Sequence, residues 1–343
     1  MARADATRIT ALALMLAATA VGCQKKDAVQ DEWTTGKFVP KADKPAEKLE
    51  PLPRFSCKLV GKLQQWRYNP VISVLSDGRV LVAGGRQSKK WLTSSEIFDP
   101  ATGRAEPTGP MKHERAEMST VKLADGRVLV FGGGARPLEL FDPKTRTWRV
   151  VGQLKQEAVG VAGVQLADGK VYIAGGELTD RREMSKQAFF WEPGSGKLSK
   201  LTELQLGLRG AAYLTAAGKI ALLARAPEEE KPRLRVTDPA SGSVDELKPE
   251  GIVLKALSEL GRAKGDEQVA LAHGSDGKLA SPPTGLRGAA LLRFFPSRRS
   301  WRSLAKLHHD HGSGGAVAAL SPDKLLVLGG STELESAVEL CAP

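Results

Sequence analysis

Apolar residues fall in short, nearly continuous runs that are separated by turn signals. Near the start of the repeating region, Val71–Val74 and Val80–Ala83 flank the pair Asp77-Gly78. An Asp-Gly pair between two apolar runs predicts a β-hairpin with a type I′ turn, in which both central residues need a positive φ. Because the runs are continuous rather than alternating, we expect both strands to be buried on both faces.

The same hairpin recurs along the chain, so an internal repeat governs the fold. Each well-kept copy runs without gaps from the Asp-Gly turn to a Gly-Gly pair. A glycine pair at a strand end suits a close backbone approach or a positive φ. The three well-kept copies are Asp77–Gly85, Asp125–Gly133 and Asp168–Gly176, and degenerate copies follow at Ala217–Arg225, Gln268–Gly274 and Asp323–Gly330.

A second motif alternates with the first and predicts a second hairpin in each unit. In Phe98–Gly103, Pro100 fixes φ at the second turn position and Gly103 suits the left-handed region. The prolines of the motif lie 43 to 57 residues apart, at Pro100, Pro143, Pro193, Pro239, Pro296 and Pro343. Four antiparallel strands at a period near 40 to 50 residues are typical of a propeller blade.

Counting across the second hairpin predicts its register. The residue two before each proline should face the residue five after it. The predicted pairs are Phe98/Ala105, Phe141/Trp148, Trp191/Leu198, Thr237/Val244 and Phe294/Trp301. For Cys341, the position five residues after the proline would lie beyond Pro343, so its partner is expected from another part of the chain. Cys57 lies 20 residues before the first Asp-Gly turn, as Trp148 lies before the third, so the N-terminal segment 54–60 is predicted to supply the missing strand.

The two motifs together resemble the bacterial form of the kelch repeat. Val80–Gly85, Glu96–Gly103 and Thr108–Met111 match it closely. The resemblance covers residues 54–343 and is weakest in the fourth and fifth units. With the register above, it implies an all-β fold: a six-bladed kelch-type β-propeller with four antiparallel strands per blade, its ring closed by an N-terminal strand in the last blade.

That closure would place Cys57 opposite Cys341. Opposed residues in an antiparallel pair have Cα atoms about 4.5–5.5 Å apart, which is within bridging range. We therefore predict a Cys57–Cys341 disulfide, and two buried free thiols are the alternative. No metal is expected there, because two thiolates alone do not complete a tetrahedral site.

The N-terminus has the pattern of a secretory signal peptide. Met1–Arg8 carries two arginines, and the apolar stretch Ile9–Ala20 is too short to span a bilayer. Ala20–Cys23 resembles a bacterial lipobox, in which the cysteine is lipidated, and an ordinary signal peptide is the alternative. We expect a lipoprotein signal peptide at 1–22, a disordered tether at 23–53 that begins with lipidated Cys23, and the propeller at 54–343.

The formal net charge of +11 favours anionic partners only weakly, since the basic residues are scattered. In a propeller, the loops that enter each blade share one face with the loops between its second and third strands. Cations there would suit an acidic ligand, whereas solvated charges or contacts with backbone carbonyls are the alternative. The candidate ligand face comprises Trp66, Arg67, Tyr68, Arg115, Arg209, His308 and His311.

No motif in the sequence indicates a catalytic set, a metal or another cofactor. The loop histidines His308, His309 and His311 are too close in sequence to converge readily on one ion, and no HExxH, nucleophile elbow or phosphate loop occurs. We expect a non-enzymatic binding or scaffold module, monomeric and anchored by lipid in the cell envelope, at the outer rather than the inner membrane. Its expected partner is another envelope protein or an anionic glycan, without specific nucleic-acid binding. The alternative, by fold analogy, is a periplasmic mutarotase-like enzyme acting on an acidic sugar.

Overall fold

The computed structural model describes residues 55–214, 220–229, 233–247, 257–262, 268–272, 290–295, 300–306, 315–321, 324–329 and 336–343. The predicted signal peptide, Cys23 and the tether lie outside these residues, as do His308 and His311. Antiparallel strands dominate the described part. None of its helical residues forms a segment long and apolar enough to cross a membrane.

The strands of the first half are β1 (Ser56–Lys62), β2 (Val71–Val74), β3 (Val80–Ala83), β4 (Arg86–Gln87), β5 (Lys90–Trp91), β6 (Ser95–Asp99), β7 (Arg104–Pro107), β8 (Met118–Lys122), β9 (Val128–Gly132), β10 (Pro137–Asp142), β11 (Thr147–Gln153), β12 (Ala158–Val159), β13 (Ala162–Gln165) and β14 (Val171–Ala174). Those of the second half are β15 (Glu177–Leu178), β16 (Ala188–Trp191), β17 (Leu198–Lys200), β18 (Arg209–Leu214), β19 (Ile220–Arg225), β20 (Arg233–Thr237), β21 (Val244–Leu247), β22 (Leu257–Arg262), β23 (Gln268–Ala272), β24 (Ala290–Phe295), β25 (Ser300–Lys306), β26 (Gly315–Ser321), β27 (Lys324–Gly329) and β28 (Ala337–Ala342).

Within the described residues these strands form six four-stranded antiparallel sheets. In chain order, sheet 1 contains β2, β3, β6 and β7; sheet 2 contains β8 to β11; sheet 3 contains β13, β14, β16 and β17; sheet 4 contains β18 to β21; and sheet 5 contains β22 to β25. Sheet 6 contains β26 to β28 and takes its fourth strand, β1, from the other end of the chain. Two short two-stranded pairs, the hairpin β4–β5 and the non-consecutive pair β12–β15, stand apart from the sheets.

Every predicted register of the second hairpin is confirmed. The five pairs within single hairpins are Cα partners, as is Cys57 with Cys341 between β1 and β28. The predicted disulfide is present, with a Cα–Cα distance of 4.0 Å and a separation of 284 residues along the chain. The N-terminal strand therefore completes the sheet formed by the C-terminal strands.

The first hairpin joins the two predicted strands, with Val74 the Cα partner of Val80, but its turn is not of the predicted type. Gly78 has a φ of +86°, whereas Asp77 does not have a positive φ. The Gly78 N–H donates to the Leu75 carbonyl, and the Leu75 N–H donates to the Arg79 carbonyl. This is a type I turn followed by a glycine in the left-handed region, the usual three-residue hairpin loop, and the type I′ prediction is wrong.

The second hairpin closes as predicted, with its last turn residue in the left-handed region. Gly103 has a φ of +70° and donates its N–H to the Asp99 carbonyl. In sheet 2 the same position holds Arg146, at a φ of +56°, and its N–H donates to the Asp142 carbonyl. The turn geometry is thus kept even where the sequence has lost its glycine.

The core lies between neighbouring sheets rather than within one sandwich. β3, β9 and β14 are buried along their whole length, as their continuous apolar runs predicted. Each apolar cluster draws residues from two sheets, so that sheet 1 packs on sheets 6 and 2, and sheet 3 packs on sheets 2 and 4. The first strands of the sheets also contact one another in the series β22, β26, β2, β8, β13 and β18.

Candidate functional site

Arg67, a candidate ligand residue, lies in the loop before β2 and is completely buried. Its Nη1 donates to the carbonyl oxygens of Gly84 and Ser94, each at 2.9 Å. Its Nη2 forms an ion pair with Glu96 Oε1 at 2.8 Å, and both side chains are at most 2% exposed. The other Glu96 oxygen accepts a hydrogen bond from the Gln64 N–H at 2.7 Å. The guanidinium therefore links the entry loop to the two middle strands of sheet 1.

Arg115 repeats this arrangement in sheet 2. Its guanidinium donates to the Gly132 carbonyl at 3.0 Å and pairs with Glu139 at 2.8 Å, and neither side chain is exposed. Glu139 also accepts hydrogen bonds from the backbone N–H groups of Lys112 and His113, at 2.6 and 3.0 Å. One buried carboxylate thereby fixes the whole turn that precedes β8.

These two arginines bind groups of the protein itself rather than solvent. Burial lowers the pKa of Arg67 and of Arg115, and the adjacent glutamates partly offset this effect. Breaking a buried pair by removing one partner typically costs about 3–5 kcal/mol, because the other charge is left uncompensated. The contacts with backbone carbonyls match the alternative that the sequence left open for these residues. The structure does not present Arg67 or Arg115 to an acidic ligand.

Sheet 4 carries a guanidinium at the equivalent place but supplies it from another strand. Arg235 lies opposite Leu222 in β19, as Glu96 lies opposite Val82 in β3. It donates to the Ala224 carbonyl, the counterpart of the Gly84 carbonyl, and pairs with Glu229 of the following loop. The cation here comes from the third strand and the anion from the loop before that strand, yet the carbonyl still receives a guanidinium.

Sheet 3 lacks this pair. Ala158 lies four residues after Leu154, as Arg67 lies four after Leu63, and Phe189 occupies the strand position of Glu96. A small cleft that opens to solvent lies at this place. Its lining residues are Leu154, Lys155, Gln156, Ala158, Val161, Ile173, Ala174, Gly175, Leu178, Ser185, Gln187 and Phe189. We call it the sheet 3 cleft.

A line of backbone hydrogen bonds joins the entry loops of sheets 1 to 4. Asn69, Glu117 and Gly160 all have a positive φ, between +50° and +61°. The Glu117 N–H donates to the Asn69 carbonyl at 3.4 Å, and the Gly160 N–H donates to the Glu117 carbonyl at 3.0 Å. The line continues from the Gly210 N–H to the Gly160 carbonyl, also at 3.0 Å. Neighbouring sheets are therefore tied together at this end.

Arg209, another candidate, lies between two carboxylates from different sheets. It pairs with Glu177 of sheet 3's loop at 2.5 Å and with Glu117, which precedes β8. The arginine crosses above Gly160, where an added Cβ would lie 2.6 Å from Arg209 Cγ. The three side chains are 18 to 33% exposed, so this Arg209 cluster meets solvent with one cation for two anions.

The aromatic candidates Trp66 and Tyr68 are half-buried beside the entry to β2. The Arg86 guanidinium lies over the Tyr68 ring, 4.4 Å from its centroid. Tyr68 and Arg86 also exchange backbone hydrogen bonds at 2.8 Å. The Tyr68 ring is thus covered on one face by a cation of β4.

The glutamates that pair with the arginines were not among the predicted site residues. Glu96 and Glu139 stand two residues before the aromatic residue of the second motif, and Glu339 has the same position. A polar residue at a fixed place in an otherwise buried strand was the available signal. In the described part of the chain, no group of three or more histidine, cysteine, aspartate or glutamate side chains could hold a metal ion.

No protein-family model matches the chain, and neither does any curated protein. The loops that precede the first strands of sheets 1 to 4 carry Arg67, Arg115 and Arg209 or lie directly beside them, and we call the surface of these loops the entry-loop face. The function is therefore inferred from this face, from its exposed charge and from the N-terminal sequence.

Proposed function

We propose that residues 54–343 form a six-bladed kelch-type β-propeller whose ring is closed by β1. The contact series of first strands supports this, because it runs through all six sheets and passes from β26 of the last sheet to β2 of the first. Apolar clusters shared by adjacent sheets are what radially packed blades require.

A repeated contact between hairpin turns and outer strands also supports the ring. In sheets 1, 2 and 3, the left-handed residue of the second hairpin lies against the outer strand of the preceding sheet or the segment that directly follows that strand. Gly196 approaches the Val151 carbonyl, and the Gly109 N–H donates to the Arg146 carbonyl at 3.1 Å. Gly103 makes the equivalent contact with Val60 of β1. β1 thus has the place before sheet 1 that β7 has before sheet 2.

We propose that this domain is a non-enzymatic binding or scaffold module. The observation that carries the proposal is that the three arginine candidates among the described residues are paired with groups of the protein itself. Arg67 and Arg115 are buried in ion pairs, and Arg209 is held by two glutamates. Catalytic groups need access to a substrate, whereas these groups hold loops and sheets together.

The charge of the exposed cluster favours a protein partner over an anionic glycan or an acidic sugar. Glu117 and Glu177 flank the single cation Arg209, so their carboxylates would repel an anion that approaches this region. We therefore prefer an envelope protein as the partner. The mutarotase-like alternative would require free cations where the described residues have paired ones.

We further propose that the domain is anchored by lipid at Cys23 in the cell envelope, at the outer membrane. The supporting features are the charged and apolar leader, the lipobox-like Ala20–Cys23 and the polar tether that follows. Two or more acyl chains anchor a protein stably, whereas one does not. Cys23→Ala should move the protein from the membrane to the soluble fraction and abolish incorporation of labelled palmitate. An unchanged membrane fraction would contradict the anchor.

Site-specific photo-crosslinking in the native envelope tests the binding role. A photoreactive residue at Glu157, exposed beside the entry-loop face, should capture a discrete protein that mass spectrometry identifies. Arg127 is the matched control position, because the turn between β8 and β9 lies at the other end of β8 from the entry loop. Equal capture at both positions, or none at Glu157, would contradict a partner on this face.

A further inference from the structure

Sheets 1, 2 and 4 each place a guanidinium group at the same point of the repeat. In all three, the group donates to a carbonyl oxygen within one residue of the end of the second strand, that of Gly84, Gly132 or Ala224. The arginine comes from the entry loop in two sheets and from the third strand in the other. Because the arginine is supplied by two different elements, the repeated feature is the contact between this carbonyl oxygen and a guanidinium, whichever element provides it.

The sheet 3 cleft offers the same carbonyl positions without an arginine of its own. In sheet 1, the Gly84 N–H donates to the Ser94 carbonyl, and both residues give carbonyl oxygens to Arg67. In sheet 3, the Gly175 N–H donates to the Gln187 carbonyl in the same way. Gly175 and Gln187 are therefore the counterparts of the two acceptors, and both line the cleft.

We propose that the sheet 3 cleft binds a guanidinium group supplied from outside, as the arginine side chain of a partner protein. In sheet 1 a single guanidinium nitrogen, Nη1, donates to both carbonyl oxygens. A guanidinium is less strongly hydrated than a lysine ammonium, so it loses less solvation when it enters the cleft. Leu154, Val161 and Leu178 line the cleft and would pack against the apolar stem of the arginine.

The absence of a glutamate in this sheet is compatible with a cation that arrives from solvent. Phe189 replaces the carboxylate, and an aromatic ring attracts a cation placed over its face within about 6 Å. The cleft is open, so the bound group keeps part of its hydration, unlike the fully buried Arg67 and Arg115. Binding would consequently be reversible, as suits a docking contact rather than a structural one.

This proposal rests on the binding role inferred above and names the group that is recognised. It does not require the lipid anchor, and its test uses the purified chain with defined peptides. Crosslinking could therefore identify a partner on this face even if the cleft proved to bind no arginine. Conversely, peptide binding would stand if the cellular partner were not captured.

Isothermal titration of the whole chain with acetyl-Gly-Arg-Gly-amide tests the proposal. We expect saturable binding, at least tenfold weaker binding of the citrulline peptide, which keeps the shape without the charge, and similarly weak binding of the lysine peptide. N-ethylguanidinium is titrated in parallel. Binding as tight as that of the arginine peptide would show that a small free guanidinium suffices, and weaker binding would show that the peptide and stem contribute.

Two variants make the result specific to the cleft. Ala158→Leu fills it with an apolar side chain and should abolish binding, whereas Arg127→Ala, in the exposed turn between β8 and β9, should leave binding unchanged. Arg115→Ala opens the equivalent space in sheet 2 beside Glu139 and serves as a positive control for N-ethylguanidinium. The proposal is overturned if the arginine and citrulline peptides bind alike, if Ala158→Leu binds like the original chain, or if only Arg115→Ala binds.

Discussion

Gly103, in the turn between β6 and β7, lies directly against the Val60 carbonyl of β1. An added Cβ on Gly103 would collide with this oxygen, and one on Gly61 would collide with Gly103 in turn. Two residues from the beginning of the domain thus fit against the first complete repeat with no room for a side chain. Through this contact, sheet 6, which contains β1, packs against sheet 1.

Gly103→Ala should destabilise the domain more than Gly78→Ala does. Both glycines have a positive φ, +70° and +86°, so alanine strains the backbone at both by about 1 kcal/mol. Only Gly103 has a close neighbour, whereas an added Cβ on Gly78 meets nothing within 4 Å. We expect an additional loss of about 1–3 kcal/mol for Gly103→Ala, measured by urea unfolding. Equal losses would show that β1 does not press on this turn.

Reducing the disulfide should lower the free energy of unfolding markedly. Cys57 and Cys341 close a loop with a sequence separation of 284, and the chain-entropy model assigns such a loop about 5–6 kcal/mol. Thermal melts with and without a reductant measure this effect. The Cys57→Ala/Cys341→Ala variant is the control, since it should melt like the reduced protein and ignore the reductant. A reduced protein that melts like the oxidised one would rule out a stabilising role.

The Arg115–Glu139 pair should be costly to break and much less costly to replace. Arg115→Ala leaves a buried carboxylate and should cost about 3–5 kcal/mol. Arg115→Ala combined with Glu139→Phe reproduces the residues of sheet 3, Ala158 and Phe189, and should lose less stability than the sum of the single changes. A double-mutant cycle by urea unfolding measures the coupling. Additive losses would mean that the two side chains do not depend on each other.

Tyr172 should make the domain sensitive to alkali. Burial raises the pKa of Tyr172 from its ordinary value of 10.0 to about 12. The raised value means that the unfolded chain loses this proton first, so the stability from Tyr172 is complete below pH 10 and falls as the pH rises towards 12. The loss is about 2–3 kcal/mol if the whole shift is expressed. Tyr172→Phe should remove this part of the pH dependence, and identical alkaline profiles would contradict it.

The strand pairing of this chain could be predicted from its sequence because the repeat fixes it. Turn residues mark each hairpin, and the distance to the proline sets which residues face each other. That is why Cys57 could be matched with Cys341 across most of the chain length. The turn type was predicted wrongly because Asp-Gly suits both a type I′ turn and a type I turn that ends in a left-handed glycine.

The environment of the charged side chains could not be predicted in the same way. A sequence places Arg67 and Arg115 in loops, where charges are usually solvated. Their burial depends on carbonyl oxygens that become available only when the second strand ends beside the loop, and on a glutamate from the third strand. The contacts of Arg209 with Glu117 and Glu177 depend on how three sheets are arranged around one another.

The central claim is that the beginning of the domain and its end share one sheet. Peptide mapping by mass spectrometry, on protein extracted from the envelope with its thiols blocked and without reduction, tests this directly. Trypsin should release the peptide Phe55–Lys58 covalently joined to Leu325–Pro343, and reduction should separate them. Recovery of both peptides with blocked free thiols, or of either cysteine joined to another partner, would contradict the account.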